Sequence, residues 1–93
     1  MNVNIQNLIA SLLDGCIYSW NLQVGMNGIG FVQQGSANSY TVATCQAACI
    51  AQPSCIAIDF NTQDEACWIG TEPIYAENPN PPIDHYDLTR ICM

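Results

Sequence analysis

The chain contains no lysine, one arginine (Arg90) and one histidine (His85) among 93 residues. Eight acidic residues leave a formal net charge of −7. A single cation cannot neutralise a run of phosphates, which excludes nucleic acid as a partner. The same shortage excludes electrostatic attachment to an anionic membrane surface. No stretch reaches the roughly 18 apolar residues of a membrane helix, so no membrane span is expected. There is no C-x-x-C pair for thiol–disulfide exchange and no N-x-S/T acceptor for N-glycosylation.

The sequence does have six cysteines, an even number, in a chain short enough for one domain. A core of this size is marginal by itself, and disulfides are the usual supplement. Disulfides persist only in an oxidising compartment, so the chain is expected to be secreted or extracellular. Residues 1–15 carry no cationic n-region and do not read as a secretory signal, so a mature, excised or recombinant form is expected. The run LLDGC, 13–16 with its flanking leucine, resembles a lipoprotein cleavage box only loosely, because Asp14 suits it poorly.

Three cysteines fall in CQAACIAQPSC, residues 45–55. Their C-x3-C-x5-C spacing is not that of a zinc site, and His85 has no second histidine beside it. No metal site and no cofactor are expected. The surrounding run predicts a helix over 42–52, with Thr41 as N-cap and Pro53 as the stop. Cys45 and Cys49 then lie on one helix face, pointing the same way, and do not bridge each other. Cys55 is within reach of Cys49, whereas Cys45 needs a more distant partner.

Strand-like alternation marks residues 16–22, 55–60, 66–70 and 85–92. GMNGIG, 25–30, reads as a turn, and the four prolines of residues 71–83 read as a stiff connection that could present Tyr75. Trp20, Trp68, Tyr18 and Phe60 are expected in the core. Tyr40, Tyr75 and Tyr86 are the candidates for exposed ligand contacts. His85 sits in D-H-Y-D without an orienting partner or nucleophile motif, and a hydrogen bond to a neighbour is expected in place of catalysis. Asp59 reads as a strand residue that satisfies local backbone groups. Asp84, Asp87, Asn78 and Asn80 could offer oxygens to calcium but lack EF-hand spacing.

The block T-V-A-T-C-Q-A-A-C-I-A-Q-P-S-C-I-A-I-D-F-N, followed by E-A-C-W-I and H-Y-D-L-T-R-I-C, resembles the PAN/apple domain family over about residues 16–92. The resemblance implies an α+β fold, one helix packed on a curved antiparallel sheet, with disulfides Cys49–Cys55, Cys45–Cys67 and Cys16–Cys92. It also implies a non-catalytic module that binds proteins or carbohydrates outside the cell.

The residues before Cys16 depart from that pattern. Ile5, Leu8, Ile9, Leu12 and Leu13 form an apolar stripe of helical period, and Gly15 is placed to end it. A strand on Val3, Ile5, Ile9 and Leu13 fits less well. A lone helix of this length is marginal in water, so the stripe must be covered. It packs either on its own sheet or on another copy. The second reading is adopted: residues 1–15 are an assembly extension and 16–93 the PAN/apple-like domain. The expected protein is an extracellular structural subunit, for a filament or surface layer, that assembles with copies of itself. The alternative is a monomeric adhesion module for glycans or extracellular proteins.

Overall fold

A computed structural model describes residues 15–92. Five strands and one helix follow in the order β1 (Cys16–Gly28), β2 (Val32–Gln34), α1 (Val42–Ala51), β3 (Ala57–Asn61), β4 (Cys67–Gly70) and β5 (Glu77–Cys92). The strands form one sheet in the order β1-β5-β3-β4-β2, antiparallel at every pairing. This is a small disulfide-rich α+β fold. The stripe Ile5, Leu8, Ile9, Leu12 and Leu13 lies outside the described residues, as does Met93.

The helix begins where its capping chemistry places it. Thr44 N–H donates to Thr41 Oγ1 at 3.1 Å, and Thr41 N–H donates to Thr44 Oγ1 at 2.8 Å, a reciprocal cap. It ends because Gln52, ahead of Pro53, turns extended. Arg90 reaches back from β5 to this terminus. Its guanidinium donates to the carbonyls of Cys49, Ile50 and Gln52 at 3.3–3.4 Å, and lies 5.4 Å from the Tyr18 ring centroid. The chain's one arginine therefore satisfies the helix's last carbonyls and complements its dipole.

Cys45 and Cys49 are the buried residues of α1. They bridge outward: Cys45 to Cys67 on β4, and Cys49 to Cys55 just past the helix. Cys16 joins Cys92, closing the far end of the β1–β5 ladder. These are the same pairs that the resemblance implies. Around the first two bridges Ile58, Phe60 and Ile69 complete a buried cluster, flanked by Trp20, Tyr40, Tyr86 and Leu88.

Two readings of the chain between the strands need correction. Gly25 to Gly28 belong to β1, and only residues 29–30 turn. The proline-rich stretch is connection only as far as residue 76, since β5 starts at Glu77. β5 lies inside the sheet, where proline breaks a ladder. The ladder is in fact broken there: Val24 pairs with Asp84 but Met26 pairs with Pro79, a bulge that takes up residues 80–83. Gly25, at φ 74°, makes the matching bend in β1.

Candidate functional site

Alternation along the strands separates two faces. Ile58 and Phe60 of β3, Cys67 and Ile69 of β4, and Tyr86 and Leu88 of β5 face the helix. Asp59 and Asn61, Trp68 and Gly70, and Ile83, His85 and Asp87 therefore occupy the other face. No helix covers that face among the described residues. Phe31 and Tyr75, from the segments after β1 and β4, fold over part of it.

A charge network lies under this cover. The register sets Asp59 opposite His85. His85 is fully buried, and its Nδ1–H donates to Asp59 Oδ1 at 2.7 Å. Asp59 Oδ2 accepts the Gly28 N–H at 2.8 Å, which ties β1 to the network. On the other side of the ring, His85 Nε2 lies 2.9 Å from Asp87 Oδ1 and 2.8 Å from the Tyr75 hydroxyl. Tyr75 O–H donates to Asp87 Oδ1, and Gln23 Nε2 donates to Asp87 Oδ2 at 3.0 Å.

Burial alone would push the imidazole's pKa down. The hydrogen bonds to Asp59 and Asp87, with the charges of both carboxylates, outweigh burial and raise it to about 9. His85 is thus an imidazolium at neutral pH. Burial, and then the hydrogen bond to Asp87, push the Tyr75 hydroxyl's pKa well above its ordinary value, so it stays a donor. Glu77 completes a second grouping, because its carboxylate, His85 Nε2 and an Asp87 oxygen lie within 4.8 Å of one another.

The Phe31 ring, which holds the cover down, fits only because two glycines flank it. A Cβ built on Gly28 would lie 2.4 Å from the ring, and one on Gly70 2.3 Å. Beside Phe31 opens a groove of about 590 Å³. Trp68 and Phe31 supply aromatic surface, Asn27, Asn61, Asn78 and Asn80 supply amides, and Asp59 and Asp64 also line it. The Asn27 amide donates to its neighbour's carbonyl, Gly28 O, at 3.2 Å, but its Oδ1 is buried with no donor in reach. Asn61 Oδ1 accepts the backbone N–H of Gln63 and Asp64, bracing the groove's rim. Planar amides beside an aromatic face are suited to hydrogen-bonding and stacking an uncharged polar ligand.

Of the tyrosines expected as exposed contacts, none stands free. Tyr40 packs beside the core cluster, Tyr86 meets Trp20 edge to face at 6.5 Å, and Tyr75 is half-buried on His85 and Asp87. Trp68, expected in the core, is half-buried and lines the groove instead. Asn27, Asn61 and Phe31 escaped sequence reasoning, which marks Asn78 and Asn80 only as candidate calcium ligands. The one signal for them was the density of Asn and Gly around residues 27–30 and 78–80. Asp59 does accept a backbone N–H, and His85 does hydrogen-bond its neighbours. No family model, curated protein or solved structure matches the chain.

Proposed function

We propose that this is an extracellular, non-catalytic recognition domain that takes a neutral polyhydroxylated ligand, a glycan, in the groove of the helix-free face. The observation that carries the reading is Asn27: its Oδ1 is a buried acceptor without a donor, and the residue lines a groove whose wall also carries asparagine amides, aromatic rings and the carboxylates of Asp59 and Asp64. Buried acceptors are nearly always paired, and a ligand hydroxyl is a fitting donor. Arg90, the only arginine, is engaged at the helix terminus, so the groove has no cation with which to select an acidic sugar. The groove's size suits a small ligand. Three disulfides agree with an oxidising compartment, and the PAN/apple resemblance favours binding over catalysis. The test is a panel of neutral and acidic oligosaccharides, followed by titration of the best binder against wild type and Trp68→Ala. Neutral binders that weaken at least tenfold in the variant are expected. No binding at millimolar sugar, or binding indifferent to Trp68, sinks the reading.

Self-assembly is the second reading, and one feature favours it. Among the described residues β1 is an edge strand of 13 residues with Ile17, Leu22 and Val24 exposed, Val24 at 72%. Unpaired edges of this length template the addition of another chain. Residues 1–14 run directly into this strand, which makes them the natural connector. Light scattering across a concentration series, with and without residues 1–14, tests it. A size that grows with concentration only in the full chain is expected.

A further inference from the structure

We propose that Glu77, His85 and Asp87 form a binding site for a divalent transition-metal ion of zinc's class, with the Tyr75 hydroxyl or a water as fourth ligand. Glu77 opens β5 while His85 and Asp87 lie near its middle, and the bulge at residues 80–83 lies between them. The chain segment that ends in Tyr75 and Glu77 folds back toward His85, so the grouping cannot be seen in the sequence spacing.

What distinguishes the cluster from a patch of acids is the buried imidazole at its centre and the way its partners are fixed. Metal-bound histidines commonly donate their second ring N–H to a carboxylate, which sets the tautomer and strengthens the ligand nitrogen. Asp59 stands in that position, 2.7 Å from Nδ1, and is itself held by the Gly28 N–H. Nε2 is thereby the atom aimed at the carboxylates; it carries a proton in the metal-free protein, and zinc takes its place with release of that proton to solvent. Asp87 is also pre-set, because Gln23 binds its Oδ2 and leaves Oδ1 on the histidine side. Glu77 is exposed, so the site has a way in from solvent and one ligand free to adjust. A tetrahedral zinc with bonds of about 2.0–2.1 Å sets its ligand atoms about 3.3 Å apart. The three atoms now lie within 4.8 Å of one another, so zinc requires exposed Glu77 to move inward and the 2.9 Å His85–Asp87 pair to open slightly. One imidazole and two carboxylates match zinc and its first-row neighbours better than calcium, which takes six or more oxygens.

The test is calorimetric titration of the oxidised full chain with zinc chloride and with calcium chloride, alongside NMR of the imidazole. His85 is the only histidine, so its ring signals are unambiguous. One zinc per chain is expected, with the His85 signals shifted and calcium much weaker. Glu77→Gln removes a ligand at an exposed position and leaves the buried network in place. Losing even an outer partner typically weakens a site about 10–100-fold, and Glu77→Gln should cost zinc affinity at least that much with the thermal midpoint of the metal-free protein unchanged. Absence of zinc binding overturns the proposal. So does zinc binding that leaves His85 unshifted or survives Glu77→Gln at full strength, and so does calcium binding as tight as zinc. None of these outcomes bears on the glycan groove.

Discussion

Asp59 and His85 stand opposite each other on adjacent strands, Oδ1 to Nδ1 at 2.7 Å, both buried. Without Asp59 the buried imidazolium keeps only the partly exposed Asp87 carboxylate as its counter-charge. Removing one partner of a buried pair typically costs about 3–5 kcal/mol. Asp59→Asn, which keeps the shape and drops the charge, should lose about 3 kcal/mol in urea unfolding. A loss below about 1 kcal/mol would show that the pair contributes nothing special.

The same pair sets a pH dependence. In the metal-free protein, with chelator present, the folded pKa of His85 stands at about 9, above the unfolded value of about 6.5. The folded state therefore holds its proton more tightly than the unfolded chain. That stability is complete below pH 6.5 and is lost as pH rises through 9. Denaturant midpoints from pH 6 to 10 should fall across this window, and should stay flat there in a folded His85→Gln variant. A flat wild-type profile counts against a charged His85.

Phe31 is locked between Gly28 and Gly70, where an added Cβ would approach the ring to 2.4 and 2.3 Å. Overpacking of this kind costs about 1–3 kcal/mol. Gly70→Ala should lose that much stability in the wild type and much less in a Phe31→Ala background, where the ring is gone. Equal losses in both backgrounds would put the cost in the backbone and not in the ring.

The three disulfides should differ in weight. By loop-closure entropy, the bridge spanning 6 residues contributes about 2 kcal/mol and the one spanning 76 about 4.5 kcal/mol. Replacing Cys49 and Cys55 by alanine should leave a folded domain with a lowered midpoint. Replacing Cys16 and Cys92 should cost more, because β1 then has no covalent tie to β5. A reversed order would mean that the buried Cys49–Cys55 bridge acts through core packing.

What was legible in the sequence was local. Thr41 and Pro53 bounded α1 to within a residue, and the alternation of Ile58 and Phe60 against Asp59 marked β3, read as 55–60 and found at Ala57–Asn61. The site depends on relations that no local pattern carries. Asp59 meets His85, 26 residues away, only through the register of two strands, and Phe31, a turn past Gly28, meets Gly70 only through the sheet. The prolines of residues 79–82 concealed the first half of β5, since proline argues against an interior strand unless a bulge is known to be there. The tyrosines, expected to be exposed, are partly buried, because their amphipathic rings suit core packing, as at Tyr40 and Tyr86, or a hydrogen-bonded site, as at Tyr75.

Arg90 offers a way to separate charge from shape. Its guanidinium spans the carbonyls of Cys49, Ile50 and Gln52 while lying near the Tyr18 ring. A lysine keeps the charge that favours a helix C-terminus but lacks the planar fork that reaches several acceptors at once. If the fork dominates, Arg90→Lys should destabilise nearly as much as Arg90→Met, each by about 1–2 kcal/mol, because both lose the guanidinium's hydrogen bonds, although Cys49 O and Gln52 O keep backbone donors. If charge on the helix dipole dominates, lysine should recover most of the loss, and added salt should erode it. The first outcome is expected, since these acceptors are partly buried and shielded from salt. Thermal unfolding of both variants at low and high salt decides between them.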